Sequence, residues 1–492
     1  MESTEWKPSS ADYLDALLGQ NPWNKEGKIP KVFDFPTRRL LADQLWKTIA
    51  KDPWRFQVVI GPRRVGKTVS LYQTIQQLIE YGIAHQRLWF MRMDHPLFQH
   101  YPLGSWVKAL LNQENPTQEN PLYLFVDEIN YSEGWDAWLK TFYDEKWPVQ
   151  VVATSSSSAS LHRESGIGRW SLQYMTPYNF GEYLKLVGNE NPLDNQLHDG
   201  SLLSNLLEAC RRKDNITHLS KSRDVYALIG GFPELLFDRF EPDDVESSVL
   251  RSQQILRSEA IQRVAGMDLP QVFHIRQPLS MERLLYLLAS QMCNLISTRS
   301  LGNSLDLNHQ TVGEYIGYLE KAYLIFTLPA YSGSESSIQR RGRKVYFVDG
   351  AVRNAALQRG LEPVNDPVEY GALVENLAGS HLFALSLQKD VRLFHWRERD
   401  YEVDFIYDDR SEPVAIEVTA SANHSLRGLD ALQERHPKFR GRCFLVSKSS
   451  QCHTPDSDPQ HIGRLPLETF LLATGETTRL ALAQRLGADI SN

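Results

Sequence analysis

The chain has 492 residues, 42% hydrophobic and 23% charged, with a formal net charge of −7. This ordinary globular usage excludes wholesale disorder and collagen-like or mucin-like polymers. The length suggests about three core-forming domains, and the acidic balance excludes a bulk nucleic-acid coat while leaving room for a local basic surface.

Four scattered cysteines, Cys210, Cys293, Cys443 and Cys452, form no C-x-x-C pair and fit a reducing, cytoplasmic setting. Met1–Trp6 lacks the basic start and apolar run of a signal peptide. No uncharged apolar run approaches the ~20 residues that span a bilayer, so no membrane partner is expected.

Prolines 22, 30 and 36 break the first 50 residues into short pieces, with a helix expected over Arg39–Ala50. Short apolar strands then alternate with longer amphipathic segments. The strands are Gln57–Ile60, Leu88–Met91, Leu122–Val126 and Val149–Thr154. This alternation suggests parallel βαβ units, and continuous apolar runs suit strands buried on both faces.

The strongest local signal is Gly61-Pro62-Arg63-Arg64-Val65-Gly66-Lys67-Thr68, which matches G-x-x-x-x-G-K-[ST] at every fixed position, after a strand and before a helical pattern. The glycines let the backbone curl so that amides face phosphates, and the helix N-terminus favours negative charge. ATP and Mg²⁺ are the expected ligands. Lys67 would bridge the terminal phosphates and Thr68 would ligate the metal.

Asp127, at the end of the buried run Leu122–Val126, is the expected partner for Mg²⁺, and Glu128 is placed to orient or deprotonate the attacking water. After the next strand, Ser155 in the run Ser155–Ser158 is the expected γ-phosphate sensor. Arg169, after Gly168, could approach a phosphate in its own subunit or a neighbour's, which would imply a homo-oligomer.

Val187–Asp199 reads as a linker, and residues 200–330 are mostly helical in pattern. Ser300–Leu305, a turn at Asp306–Asn308 and His309–Tyr323 resemble a helix-turn-helix. Val312, Tyr315, Ile316, Leu319 and Tyr323 form the buried stripe of its second helix. A strand-like Leu324–Leu328 and a loop over Tyr331–Lys344 would form a wing ending Arg340-Arg341-Gly342-Arg343-Lys344. Residues 251–345 carry 11 Lys and Arg against 7 Asp and Glu, so this stretch is +4 and the remainder −11. Double-stranded DNA is therefore a candidate partner of residues 297–344, against the alternative of a module that only packs domains.

β-type patterns return at Val345–Val348, Val391–Trp396, Val403–Tyr407, Val414–Val418 and Cys443–Val446. Three acids stand out there: Glu375 in the helical run Tyr370–Leu387, Asp404 in one strand and Glu417 in the next. A helix acid followed by D-x(n)-E-x-K on paired strands is the layout of PD-(D/E)XK nucleases, whose carboxylates hold Mg²⁺ while a lysine assists the attacking water. Here Thr419 stands at the lysine position.

Taken together the chain resembles the bacterial and archaeal AAA-type P-loop ATPases that carry a C-terminal domain of unknown function with a nuclease-like fold. The matching residues are Gly61–Thr68, Leu122–Glu128, Thr154–Ser156, Gly168-Arg169, Thr176–Tyr183, Gly230–Glu234, Lys344–Asp349, Gly371–Asn376, Glu402–Phe405 and Ile416–Val418. The resemblance implies an α/β fold: a P-loop NTPase parallel sheet with a helical lid, a winged-helix middle and a C-terminal restriction-endonuclease-like domain. It departs at Thr419, where many relatives have lysine.

The expected segments are 1–50 as an N-terminal segment, 51–190 as the ATPase core and 191–250 as the lid. Residues 251–345 are expected to form the winged helix, 346–470 the nuclease-like domain and 471–492 a tail. An ATPase or ATP switch is the leading expectation. The alternatives are an ATP-gated nuclease acting on DNA or RNA and a non-hydrolysing nucleotide-switched binding protein.

Overall fold

A computed structural model describes residues 9–487 apart from positions 36, 52–54, 157–167, 199, 213–215, 238–240, 242–243, 333, 341, 422–423 and 449–450. Of the residues singled out above, Met1–Trp6, Pro36, Ser157, Ser158 and Arg341 lie outside the described residues. The chain divides into two compact units, residues 1–62 with 66–175 and 486–488, and residues 63–65 with 176–485 and 489–492. Among the described residues no helix is long and apolar enough to cross a membrane.

The first unit is a five-stranded parallel sheet. Its strands are β1 (Phe56–Ile60), β2 (Leu88–Arg92), β3 (Leu122–Asp127), β4 (Val149–Ser155) and β5 (Trp170–Tyr174), in the order β2-β3-β4-β1-β5. β1, β3 and β4 are buried along their whole length, which is why their sequences run apolar without alternation. Helices α1 (Ser10–Gln20), α2 (Leu40–Lys51), α3 (Lys67–Tyr81), α4 (Leu103–Glu114) and α5 (Trp135–Asp144) complete it. β5 was not expected from the sequence.

The described residues among the first 50 belong to this unit, and the side chains of Gln20, Asn21 and Trp23 close the free edge of β2. Asn21 Nδ2 donates to Phe90 O (2.9 Å) and its Oδ1 accepts from Phe90 N (2.6 Å). Trp23 Nε1 donates to Leu88 O (2.9 Å) and Gln20 Oε1 accepts from Arg92 N (3.0 Å). An edge strand left bare would offer these groups to another chain.

The second unit opens with α6 (Phe180–Leu186), α7 (Leu202–Arg212), α8 (Ser220–Ile229) and α9 (Val245–Ile255). Two wide-wound π-helical stretches follow, Leu256–Gln262 and Val264–Asp268. α10 (Pro278–Ser290), α11 (Thr298–Leu305) and α12 (His309–Lys321) come next. β6 (Leu295–Ile296), β7 (Ile325–Leu328) and β8 (Arg343–Phe347) form an antiparallel sheet of order β6-β8-β7. Val312, Tyr315, Ile316, Leu319 and Tyr323 are buried.

Beyond α13 (Gly350–Leu357) and α14 (Pro367–Lys389) lies a mixed sheet of β9 (Leu393–Glu398), β10 (Tyr401–Tyr407), β11 (Val414–Val418), β12 (Cys443–Ser447) and β13 (Ile462–Pro466). β9, β10 and β11 pair antiparallel, and β11, β12 and β13 pair parallel. α15 (Arg427–Arg435) and α16 (Leu467–Arg485) complete the unit.

The compact units do not coincide with the expected segments. The main run of the first unit stops at Met175 where the expected core runs to residue 190, and the division at 345/346 falls inside β8. The supposed tail from 471 lies largely in α16, most of which is buried. The expected wing loop contains a short helix, Glu335–Arg340, and its Tyr331 and Ile338 are buried in the core of the mixed sheet with Phe394, Trp396 and Phe439. Apolar burial thus draws the loop into the C-terminal part of the unit.

Candidate functional site

The parallel register brings the ends of β1, β3 and β4 together: Ile60 lies opposite Ser155, and Val126 opposite Ala153. Crevices at the carboxyl ends of such strands are where α/β sheets place ligands. The loop after β1 needs its glycines. A Cβ on Gly61 would lie 1.9 Å from Met175 O, and Gly66 stands at φ 91°, in the left-handed region. Arg64 also adopts positive φ (64°).

Lys67 is buried, and its ammonium donates to Gly61 O (3.1 Å), Pro62 O (2.8 Å) and Ser156 Oγ (3.0 Å). Thr68 Oγ1 donates to Asp127 Oδ2 (2.8 Å), and Thr154 Oγ1 donates to Asp127 Oδ1 (2.5 Å). The Thr154 hydroxyl also accepts from Glu128 N (3.0 Å). Glu128 sits at φ 51°, a conformation that a non-glycine residue adopts only where its surroundings impose it. Its carboxylate accepts from Ser156 N (3.2 Å) and from the Ser156 hydroxyl.

Burial, then the neighbouring Glu128 charge, pushes the Asp127 carboxyl up to about 6. The Thr154 and Thr68 hydrogen bonds and the Lys67 charge oppose that rise. The residues fit a hard cation: the Thr68 hydroxyl and the Asp127 carboxylate are oxygen donors already side by side.

Ser155, the expected sensor, instead donates to Asn130 Oδ1 (3.1 Å), and it is Ser156 that reaches Lys67 and Glu128. In the sequence Thr154 and Ser156 stand out only as part of a motif. The signal that could have found them is the hydroxyl run itself, although its register cannot be read without the sheet.

Arg169 is placed away from the phosphate loop of its own subunit. It precedes β5, whose Trp170 pairs with Phe56, while Tyr174 pairs with Ile60 beside the phosphate loop. Arg169 therefore lies at the opposite end of the sheet, roughly 15 Å of strand away. There its guanidinium makes a two-pronged pair with Asp144 (2.8 and 3.1 Å), which holds the Asp144 carboxyl below its usual range.

The C-terminal acids converge, but not on a metal geometry. Lys344, at the start of β8, is buried, and its ammonium lies 3.2 Å from Glu375 Oε1, 3.1 Å from Asp404 Oδ1 and 2.5 Å from Glu402 Oε1. Tyr346 donates to Glu375 Oε1 (2.7 Å), and Val418 N donates to Asp404 Oδ2 (3.0 Å). Glu417 is paired through Oε1 with His424 (2.6 Å), and burial, with the nearby Asp404 and Glu402 charges, raises its carboxyl against that hydrogen bond. Burial, then the Asp404 charge, raises the Glu375 carboxyl to about 8.

Among the described residues no group of three or more His, Cys, Asp or Glu is arranged to hold a metal ion. Of the expected second site, Glu375 and Asp404 face the Lys344 ammonium and Glu417 is paired with His424. Lys344 is also lost to the expected basic tip, since a buried, triply paired ammonium cannot meet DNA phosphates.

Other residues that carried the family resemblance interlock inside the second unit. Asp349 accepts from Gly231 N (2.7 Å) and Ala351 N (2.9 Å). Tyr178 N donates to Gly231 O (2.7 Å), Phe180 N to His381 Nε2 (3.0 Å), and Asn376 exchanges two bonds with the Phe347 backbone (2.7 and 3.1 Å). A Cβ on Gly231 would come 2.2 Å from Tyr178 O, so that glycine is required by close approach. These motifs are scaffold rather than chemistry.

Residues 54–184 match the family model of an AAA domain, residues 220–362 a domain of unknown function (DUF8612), and residues 370–466 a second domain of unknown function (DUF4143). The chain is similar to two uncharacterised proteins of Methanocaldococcus jannaschii. One is 26% identical, over 86% of this chain and 87% of the relative; the other is 24% identical, over 74% and 75%. Among solved structures it is similar to the Walker-type ATPase of Pyrococcus abyssi, with TM-score 0.41, 12% identity and coverage of 66% of this chain and 96% of that one. It is also similar to the Aeropyrum pernix ORC1 protein in complex with DNA, with TM-score 0.32, 13% identity and coverage of 70% and 98%. Its phosphate loop and five-stranded parallel sheet give the first unit a P-loop NTPase fold, and residues 54–184 are similar to an AAA domain.

Proposed function

We propose that the chain is a Mg²⁺-dependent ATPase whose turnover drives its second unit. The carrying observation is the pair of linked networks at the strand ends, Lys67–Ser156–Glu128 and Thr68–Asp127–Thr154. The loop amides and Lys67 take the phosphates, and Thr68 and Asp127 would hold Mg²⁺, which neutralises phosphate charge when bound. Glu128, oriented by the Ser156 hydroxyl and amide, accepts the proton of the attacking water. The water oxygen bonds to the γ-phosphorus as the bond to the bridging oxygen breaks, giving ADP and phosphate. A general base already in position favours hydrolysis over a non-hydrolysing switch.

Double-stranded DNA is the proposed client of residues 297–344. The order helix α10, strand β6, helices α11 and α12, then strands β7 and β8 supports a winged-helix reading, and His309 and Gln310 are exposed on α12. The four cysteines are free and buried, which supports a cytoplasmic setting. Phosphate release, measured with and without double-stranded DNA, tests the reading. Lys67→Ala should abolish turnover, and a Lys67→Ala protein that hydrolyses ATP like wild type sinks it. Turnover indifferent to DNA removes the proposed client.

A further inference from the structure

Lys344 carries one ammonium with three N–H donors, and three carboxylates from two elements surround it: Glu375 on α14, Glu402 and Asp404 on β10. Donors and acceptors match one for one. The acids take two further bonds, from the Tyr346 hydroxyl at Glu375 Oε1 and the Val418 amide at Asp404 Oδ2. The ammonium is buried, with Lys344 only 5% exposed, while the Glu402 side chain remains 35% exposed.

A divalent cation in the same place would need oxygens at about 2.0–2.6 Å. That place is already taken by the Lys344 ammonium, with N···O distances of 3.2 Å to Glu375, 3.1 Å to Asp404 and 2.5 Å to Glu402. Glu417, the third acid of a nuclease-like set, is paired with His424 through Oε1 rather than with Lys344, and its Oε2 is buried without a hydrogen-bond partner. Lys344 reaches the acids from β8, far in sequence from position 419, where the nuclease layout would place a lysine and where threonine stands.

We propose that Lys344 is the resident cation of this cluster, so that the second unit takes up no divalent metal through Glu375, Glu402 and Asp404 and performs no metal-dependent cleavage there. Its ammonium does in one covalently held piece what a bound metal would do: it neutralises acids that could not otherwise share a buried space.

The test is a Mn²⁺ titration of the nucleotide-free full chain, with bound metal read by electron paramagnetic resonance. Wild type and Asp404→Asn should bind the same number of Mn²⁺ ions. A loss of about one equivalent in Asp404→Asn overturns the proposal, because it would place a metal at the cluster. Lys344→Met, which keeps the length and removes the charge, should gain about one equivalent, and the double variant Lys344→Met with Asp404→Asn should lose it again. A folded Lys344→Met that gains none overturns the proposal as well. If Lys344→Met does not fold, the comparison of wild type with Asp404→Asn still decides.

Discussion

Ser156 Oγ lies 3.0 Å from Lys67 Nζ and also hydrogen-bonds the Glu128 carboxylate, so one hydroxyl joins the phosphate-binding lysine to the general base. The Ser156 backbone amide adds a second bond to Glu128 (3.2 Å). Ser156→Ala removes the hydroxyl and keeps the amide. Turnover should fall by roughly tenfold to a hundredfold while ATP affinity changes little, because positioning of the base is lost and the loop amides remain. Ser155→Ala, whose hydroxyl bonds Asn130, should cost far less. Steady-state kinetics on the two variants separates them; equal defects would refute the assignment.

Thr154 satisfies two buried groups at once, the Asp127 carboxylate and the Glu128 amide. Thr154→Val keeps the shape and leaves both without that partner. The first unit should lose about 1–3 kcal/mol of stability. Removing a hydrogen bond that favours the charged form should also raise Asp127 above its present value of about 6. Denaturant unfolding measures the first effect, and a shift of the acidic limb of the pH–rate profile to higher pH measures the second.

Arg169 is held by Asp144 at the far end of the sheet from the phosphate loop. Arg169→Ala should leave turnover within about twofold of wild type at protein concentrations where the chain is monomeric, since an exposed pair contributes little. A large loss there would restore a direct role for the arginine in its own subunit.

His381 is buried on α14 between two backbone groups. Its Nε2 accepts from Phe180 N, which leaves the proton on Nδ1, facing Leu377 O. Burial pulls its pKa from the ordinary 6.5 to about 4, against the Leu377 hydrogen bond. Because the folded-state value is depressed, the unfolded chain binds the extra proton first. Stability is therefore full above about pH 6.5 and declines as pH falls toward about 4. Between pH 7 and pH 4.5 wild type should lose about 2 kcal/mol more than His381→Gln. Denaturation midpoints of the second unit at the two pH values check this; equal losses in both proteins would contradict it.

Much of the first unit was legible along the chain. Four of its five strands are apolar runs flanked by turn residues, and the loop Gly61–Thr68 declares itself because each position answers a local backbone or phosphate requirement. β5, beginning Trp170-Ser171-Leu172, was missed because polar positions interrupt it where one face is only partly covered. The second helix of the helix-turn-helix-like pair, with its buried stripe, was legible for the same local reason.

What the sequence alone determined is thus the set of features written into consecutive residues: the phosphate loop, the Asp127-Glu128 strand end and the strand and helix periods. Only the tertiary structure decided which hydroxyl of Thr154-Ser155-Ser156 meets Glu128, at which end of the sheet Arg169 lies, and that Lys344 is a buried counter-ion rather than a basic tip. Those are outcomes of register and of convergence between positions 25 to 60 residues apart. Strand pairing and burial select them, and both depend on partners that no local window contains.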